Sequence, residues 1–208
     1  MAAQIKTPIA PRPATKKKPS RESRLISSRL AYKGKVFSVF TDKVEEPGGS
    51  INVRDVIRHS GSVVVLAVDE SKNPNDPDIV FERQYRHAAG QFLIELPAGR
   101  VEPEETTLAA AKRELIEETG YRAKRWTLLT KYFASPGFLG EFMQVFLAEG
   151  LTLGDAQPEY DEQIEIEMMP LSRLLKMIDE GKIHDGKTLI SVMLYARLRE
   201  AEKKKNRK

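Results

Sequence analysis

The chain has 208 residues, 40% of them hydrophobic, enough to bury one sizeable core or a core with a small annex, and too few for two full domains. It has no cysteine, which excludes disulfide frameworks, thiolate metal sites and cysteine nucleophiles, so any metal must be held by oxygen or imidazole. The net charge of +4 belongs to the ends: residues 1–24 carry seven Lys/Arg against one Glu and residues 203–208 carry five more, leaving residues 25–202 at −7, a balance that suits a cation site.

Residues 1–23, rich in Pro, Lys and Ala, are expected as a flexible basic tail. They lack the apolar block of a secretory signal, and four prolines in the first nineteen residues oppose the amphipathic helix of a transit peptide, the alternative suggested by the absence of any acid before Glu22. No apolar run approaches the roughly 20 residues that span a bilayer, so a soluble, cytoplasmic protein with no membrane partner is expected. Basic ends such as 1–23 and 203–208 can grip nucleic acid, but solvated tails are the simpler reading.

Residues 24–58 predict three short strands, near 25–31, 36–44 and 51–57, with Glu46-Pro47-Gly48-Gly49-Ser50 supplying turn chemistry between the last two. Three strands are a poor domain alone, so this annex should pack on the rest of the chain or on a second subunit. The body, 59–202, reads as strands at 62–68, 79–85 and 92–97, with a Ser/Asn/Pro/Asp loop at 70–78. A helix follows over 106–119, with Thr106 as N-cap, Ala109–Ala111 as strong helix formers and Gly120 as the stop. Strands at 126–133, 142–148 and 164–169 come next, then helices at 171–180, stopped by Gly181, and at 187–203. The fold class is therefore α/β (α+β), with strands and helices alternating around a mixed sheet and no internal repeat.

On the 106–119 helix, at about 100° per residue, Glu114, Glu117 and Glu118 fall within an arc of about 100°, while Leu108, Leu115 and Ile116 lie towards the other side. Carboxylates at i, i+3 and i+4 repel one another by about 0.2–0.5 kcal/mol per pair unless a cation sits among them. A solvated acidic face is the plain reading of such a pattern. The surrounding stretch, GRVEPEETTLAAAKRELIEETGY, argues otherwise: Gly99, Glu105, Arg113, Glu114, Glu117, Glu118 and Gly120 fill every fixed position of G-x5-E-x7-R-E-U-x-E-E-x-G-U, where U is bulky and apolar. Leu115 fills the first U, and Tyr121 departs from the last by being aromatic. Seven fixed positions match by chance about once in 10⁸ to 10⁹ starts.

This stretch resembles the signature of the Nudix hydrolase family. The resemblance implies a sandwich of a mixed sheet between helices, and a metal-dependent hydrolysis of the diphosphate bond of a nucleoside diphosphate joined to a second group. It implies Glu114 and Glu118 as direct ligands of Mg²⁺, with Mn²⁺ as a substitute, Glu117 as a ligand or an acceptor behind the ligands, and the Ala98 carbonyl as a further ligand. Arg113 would pair with Glu105 and brace the loop against the helix, and Gly99 would permit the backbone turn that brings that loop to the metal. A catalytic carboxylate from a loop outside the signature is also implied. Glu162 is the first choice as base or extra ligand, with Glu159 and Asp161 as rivals and an acidic surface loop as the plain reading.

Ser135-Pro136-Gly137, with Pro136 sixteen residues after Gly120, and the run RQYRHAAGQFLIELPAGR resemble the ADP-ribose pyrophosphatase branch, over about residues 30–200. That branch implies a nucleoside diphosphate sugar substrate, with ADP-ribose giving AMP and ribose 5-phosphate, and a homodimer formed through 24–58. It implies substrate contacts at Gly99 and Pro136 and from Arg86 to the diphosphate or terminal ribose, with Arg83 as the alternative; a turn proline and a surface ion pair are the plain readings. Tyr32, Phe37 and Phe40 are candidates for stacking on adenine, with core packing the simpler role for each and for Trp126. His59, His87 and His184 lack ligand spacing and read as packing or surface residues. No G-x-S-x-G elbow exists. The alternatives are another substrate such as GDP-mannose, a non-catalytic nucleotide-sensing module with nucleic-acid-binding tails, and processing of capped RNA.

Overall fold

The computed structural model describes residues 22–35, 37–154 and 164–205. Strands β1 (Arg24–Lys33), β2 (Ser38–Glu45) and β3 (Ile51–Ile57) form an antiparallel three-stranded sheet in that order. Gly48 and Gly49, at φ 103° and 90°, close the turn between β2 and β3, a left-handed backbone that only glycine adopts without strain. Every residue of β1 is exposed. Tyr32 and Phe37 are exposed too, their ring centroids 6.3 Å apart, which corrects the expectation of core packing: among the described residues no layer covers this sheet. The annex joins the body through main-chain bonds, the Ile57 N–H donating to Phe138 O at 2.7 Å and the Gly140 N–H to Ile57 O at 2.9 Å. Arg58 adds a side-chain clamp, with Nη2 2.9 Å and 3.0 Å from the Asp42 oxygens and its guanidinium 4.1 Å above the Phe40 ring.

The body is built on a seven-stranded mixed sheet of β4 (Ser62–Asp69), β5 (Asp78–Arg86), β6 (Gln91–Glu95), β7 (Ala98–Arg100), β8 (Tyr121–Phe133), β9 (Phe142–Leu153) and β10 (Ile164–Pro170). The order is β10-β5-β4-β9-β8, with β6 on β5 and β7 on β4, and β4 runs parallel to β9. The apolar run SVVVLAV makes β4 a central strand buried on both faces. Val64, Leu66 and Val68 pack towards α2 (Leu171–Asp179) and α3 (Gly186–Lys205), while Val63, Val65 and Ala67 pack towards α1 (Thr107–Thr119). Burial of each Val or Leu contributes about 1.5–3 kcal/mol, so β4 anchors both halves of the core.

The strand expected over 92–97 is divided, for a reason that shapes the site. β4 and β5 pair only at Val68–Ile79 and Asp69–Asp78 and then part; β6 takes the freed edge of β5, and β7 takes that of β4. Pro97 falls between, with no N–H to give a ladder, and its carbonyl accepts from the Val65 N–H at 2.8 Å. The chain thus crosses from one strand to the other and delivers 98–100 beside α1. β8 begins at Tyr121, earlier than expected, because Gly120 at φ 73° turns the chain out of α1 in one residue. A 3-10 turn at His87–Ala89 was not expected, and α3 runs through Lys205, so Lys203–Lys205 of the expected tail are helical, where their charge complements the helix C-terminus. No helix among the described residues is long and apolar enough to cross a membrane.

Candidate active site

Helix α1 sets the carboxylates. The Thr106 hydroxyl accepts from the Ala109 N–H at 3.2 Å, and Ala110, Ala111 and Leu115 are fully buried against the sheet. Fixing that face turns Glu114, Glu117 and Glu118 towards the loop that enters the helix. Arg113 ties them together: Nε and Nη2 reach Glu105 Oε1 and Oε2, each at 3.1 Å, Nη2 donates to Arg100 O at 3.0 Å, and Nη1 lies 2.8 Å from both Glu114 Oε1 and Glu117 Oε2. The guanidinium holds the Glu105 carboxyl below its ordinary value, and its own proton is held more tightly still, chiefly by Glu105. Glu118 Oε2 accepts from the Ala98 N–H at 3.0 Å, placing the Ala98 backbone against the helix.

Gly99 is needed for room. Its φ is not positive, and a Cβ there would lie 2.0 Å from Glu114 Oε1. The expected reason, freedom to turn the backbone, is therefore replaced by close approach of β7 to the carboxylate.

The donor chemistry fits a hard divalent cation: Glu114, Glu117 and Glu118 all line one cavity of about 870 Å³, together with Ala98, Gly99 and Arg100, and every side-chain donor is oxygen. As placed, Arg113 draws Glu114 and Glu117 to one side while Ala98 takes Glu118, and among the described residues no three His, Asp or Glu side chains are grouped to hold a metal ion. A guanidinium between carboxylates relieves the same repulsion a metal would.

A second cavity of about 560 Å³ shares Arg86, Ala98, Gly99 and Arg100 with the first, so the two adjoin at these residues. Arg86 donates from Nε to Glu95 Oε1 at 2.9 Å and from Nη2 to Oε2 at 2.8 Å, and this fork raises the affinity of Arg86 for its proton. Arg83 lines neither cavity: it pairs with Glu165 at 3.0 Å and stacks 4.0 Å from the Phe92 ring centroid. Pro136 lines a third, more apolar cavity with Ile57, Arg58, Phe133 and Phe138, which meets the second at His59 and Phe133. Glu162, with Glu159 and Asp161, lies outside the described residues.

Several wall residues were not singled out from the sequence. His59, read as a packing or surface residue, lines two of the cavities, with Nδ1 accepting from the Gly61 N–H at 3.0 Å. Glu141 accepts from the Ser62 hydroxyl at 2.6 Å. Tyr132 has its hydroxyl pushed up to about 12 by burial and by the nearby charges of Asp185 and Glu141. Asp185 and Lys187 come from the start of α3, and only their place at a helix N-terminus could have marked them.

The sequence model of the NUDIX domain matches residues 58–190. Among curated relatives, the chain is 37% identical to an ADP-ribose pyrophosphatase of Bacillus subtilis (strain 168), over 88% of this chain and 96% of that one. It is 35% identical to a methanol dehydrogenase activator of Bacillus methanolicus (88% and 97%) and 34% identical to a GDP-mannose pyrophosphatase of Citrobacter koseri (65% and 77%). A crystal structure of an ADP compounds hydrolase superposes with a TM-score of 0.75 at 18% identity, covering 89% of this chain and 98% of that one, which shows the shared fold. With its glutamate face, its Arg113 brace and its close-approach glycine in place, the chain belongs to the Nudix hydrolase family.

Proposed function

We propose that this chain hydrolyses the diphosphate bond of a nucleoside diphosphate sugar, with ADP-ribose as the leading substrate and AMP and ribose 5-phosphate as products. The observation that carries the reading is that two cavities adjoin at Arg86: one has Glu114, Glu117 and Glu118 on its wall, and the other carries Tyr132, Glu141 and Lys187, hydrogen-bonding groups that suit a sugar. The ADP-ribose pyrophosphatase relative supports the choice of substrate because it aligns over more of the chain than the GDP-mannose relative does.

Glu114, Glu118 and the Ala98 carbonyl would hold the cation, Mg²⁺ or Mn²⁺, with Glu117 beside them. When bound, the ion neutralises diphosphate charge and lowers the pKa of a coordinated water. Arg113 and Glu105 hold the entering loop against α1, and Gly99 lets it approach. Arg86, oriented by Glu95, presents a fixed guanidinium to the diphosphate. Glu162 is the first choice to take the proton from the attacking water, with Glu159 and Asp161 as rivals.

Exposed apolar residues on both faces of the annex, Leu25 and Leu30 on one and Tyr32, Ile51 and Val53 on the other, support a homodimer through 24–58. The cytoplasm is the expected place of action, and nucleic acid is not an expected partner.

The test is a product assay with Mg²⁺ across ADP-ribose, GDP-mannose, ADP-glucose, NADH, diadenosine polyphosphates and capped RNA, ranked by kcat/KM. ADP-ribose leading, with AMP and ribose 5-phosphate formed, is expected. GDP-mannose leading would move the substrate to the second reading, and silence on all of them would overturn the hydrolase reading in favour of a nucleotide-sensing role.

A further inference from the structure

One buried carboxylate joins the last helix to the phosphate-facing wall. Glu95 is 1% exposed, receives the Arg86 fork on both oxygens, and also accepts from Lys187 Nζ. Lys187 stands in the first turn of α3 with its side chain 13% exposed, and its ammonium is 3.2 Å from Asp185 Oδ1. Asp185 in turn caps α3, Oδ2 accepting from the Thr188 N–H at 2.9 Å and from its hydroxyl at 2.6 Å, and Thr188 Oγ1 accepts from the Leu96 N–H at 2.9 Å. The end of β6 and the start of α3 are thus one locked unit.

Glu95 and Asp185 face Arg86 and Lys187 within that unit, with Glu82 buried opposite Glu95 as a further acid, so the ammonium is kept inside among counter-charges. Of its three N–H donors, two answer to Glu95 and Asp185, which leaves one for the cavity that Lys187 lines. Around Lys187 that wall carries the hydrogen-bonding groups of Tyr132, Glu141 and Ser62, with Phe133 shared with the neighbouring cavity, where Phe138, Ile57 and Leu139 make the lining more apolar. Hydroxyl-rich ligands suit the first wall and a purine suits the second.

We infer that Lys187 is a specificity-determining residue that donates a hydrogen bond to the non-nucleotide sugar half of the substrate, with Glu95 and Asp185 as its positioning residues. This rests on the diphosphate-sugar reading above.

The test uses the full chain with Mg²⁺, measuring kcat and KM for ADP-ribose and the inhibition constants of AMP and ribose 5-phosphate separately. Lys187→Gln should raise KM and the inhibition constant of ribose 5-phosphate about tenfold, leaving that of AMP within about twofold. Lys187→Arg, which keeps the charge, should give an intermediate rise of about threefold and carries the test if thermal unfolding shows that Lys187→Gln does not fold. A rise for AMP alone would overturn the assignment to the sugar half, and two unchanged constants would make Lys187 structural only. A wild-type protein silent on every diphosphate would remove both readings, whereas an active wild type with an indifferent Lys187→Gln removes this one alone.

Discussion

A Cβ on Gly99 would lie 2.0 Å from Oε1 of Glu114, so the glycine is fixed by the carboxylate across from it. The atoms it would strike are the far end of a flexible side chain, which can swing away at little cost to the fold. Gly99→Ala should therefore leave the unfolding temperature within a few degrees of wild type, a change of about 1 kcal/mol or less, while lowering kcat/KM about 100-fold by misplacing Glu114. Calorimetry and steady-state kinetics on one preparation check both halves, and turnover near wild type would show that Glu114 is not required where it stands.

Glu118 offers a cleaner separation of charge from shape. The amide oxygen of a Gln can still accept from the Ala98 N–H, now 3.0 Å from Glu118 Oε2, so the loop should stay docked in Glu118→Gln. Only the negative charge is lost. Turnover should fall about 100- to 1000-fold with unfolding unchanged, and the divalent ion concentration for half-maximal activity should rise. A variant with normal turnover would remove Glu118 from the cation site.

Much of this site was legible because the signature is local: Gly99 to Gly120 is one strand end, one loop and one helix, and helical periodicity alone puts Glu114, Glu117 and Glu118 on one face. The helix limits were legible for the same reason, from Thr106 and Gly120. The Arg86–Glu95–Lys187 assembly was not, because Lys187 is 92 residues from Glu95 and the three meet only when β5 parts from β4 and α3 closes over the gap. Strand periodicity also failed at Pro97, where a single apolar run serves two strands. Glu82 and Glu95, buried and directly opposed across β5 and β6, break the rule that buried strands are apolar, and no periodic pattern would place two acids there.

Leu115 links fold and site from behind. It is fully buried against Val63, Val65 and the rest of the α1 side of the core, one residue from Glu114. Leu115→Ala should cost about 2–5 kcal/mol through lost burial and a residual cavity. Urea unfolding should show a lower midpoint at unchanged slope, and a loss below about 1 kcal/mol would mean α1 is not held by this face.

Glu95 predicts an acid branch to the stability curve. Burial opposes its ionisation, but the bonds and charges of Arg86 and Lys187 outweigh that and hold its carboxyl below the ordinary value of 4.5. A carboxyl depressed on folding contributes stability that is fully present above the unfolded value and lost as pH falls through the folded one. Wild-type unfolding temperature should therefore decline as pH drops below about 4.5 more steeply than that of Glu95→Gln, which has no charge to titrate there. At neutral pH the variant should be the less stable, since it leaves Arg86 and Lys187 without their buried counter-charge. The gap between the two proteins should then narrow on acidification, and parallel profiles from about pH 6 to 3 would show that Glu95 is not ionised in the folded chain.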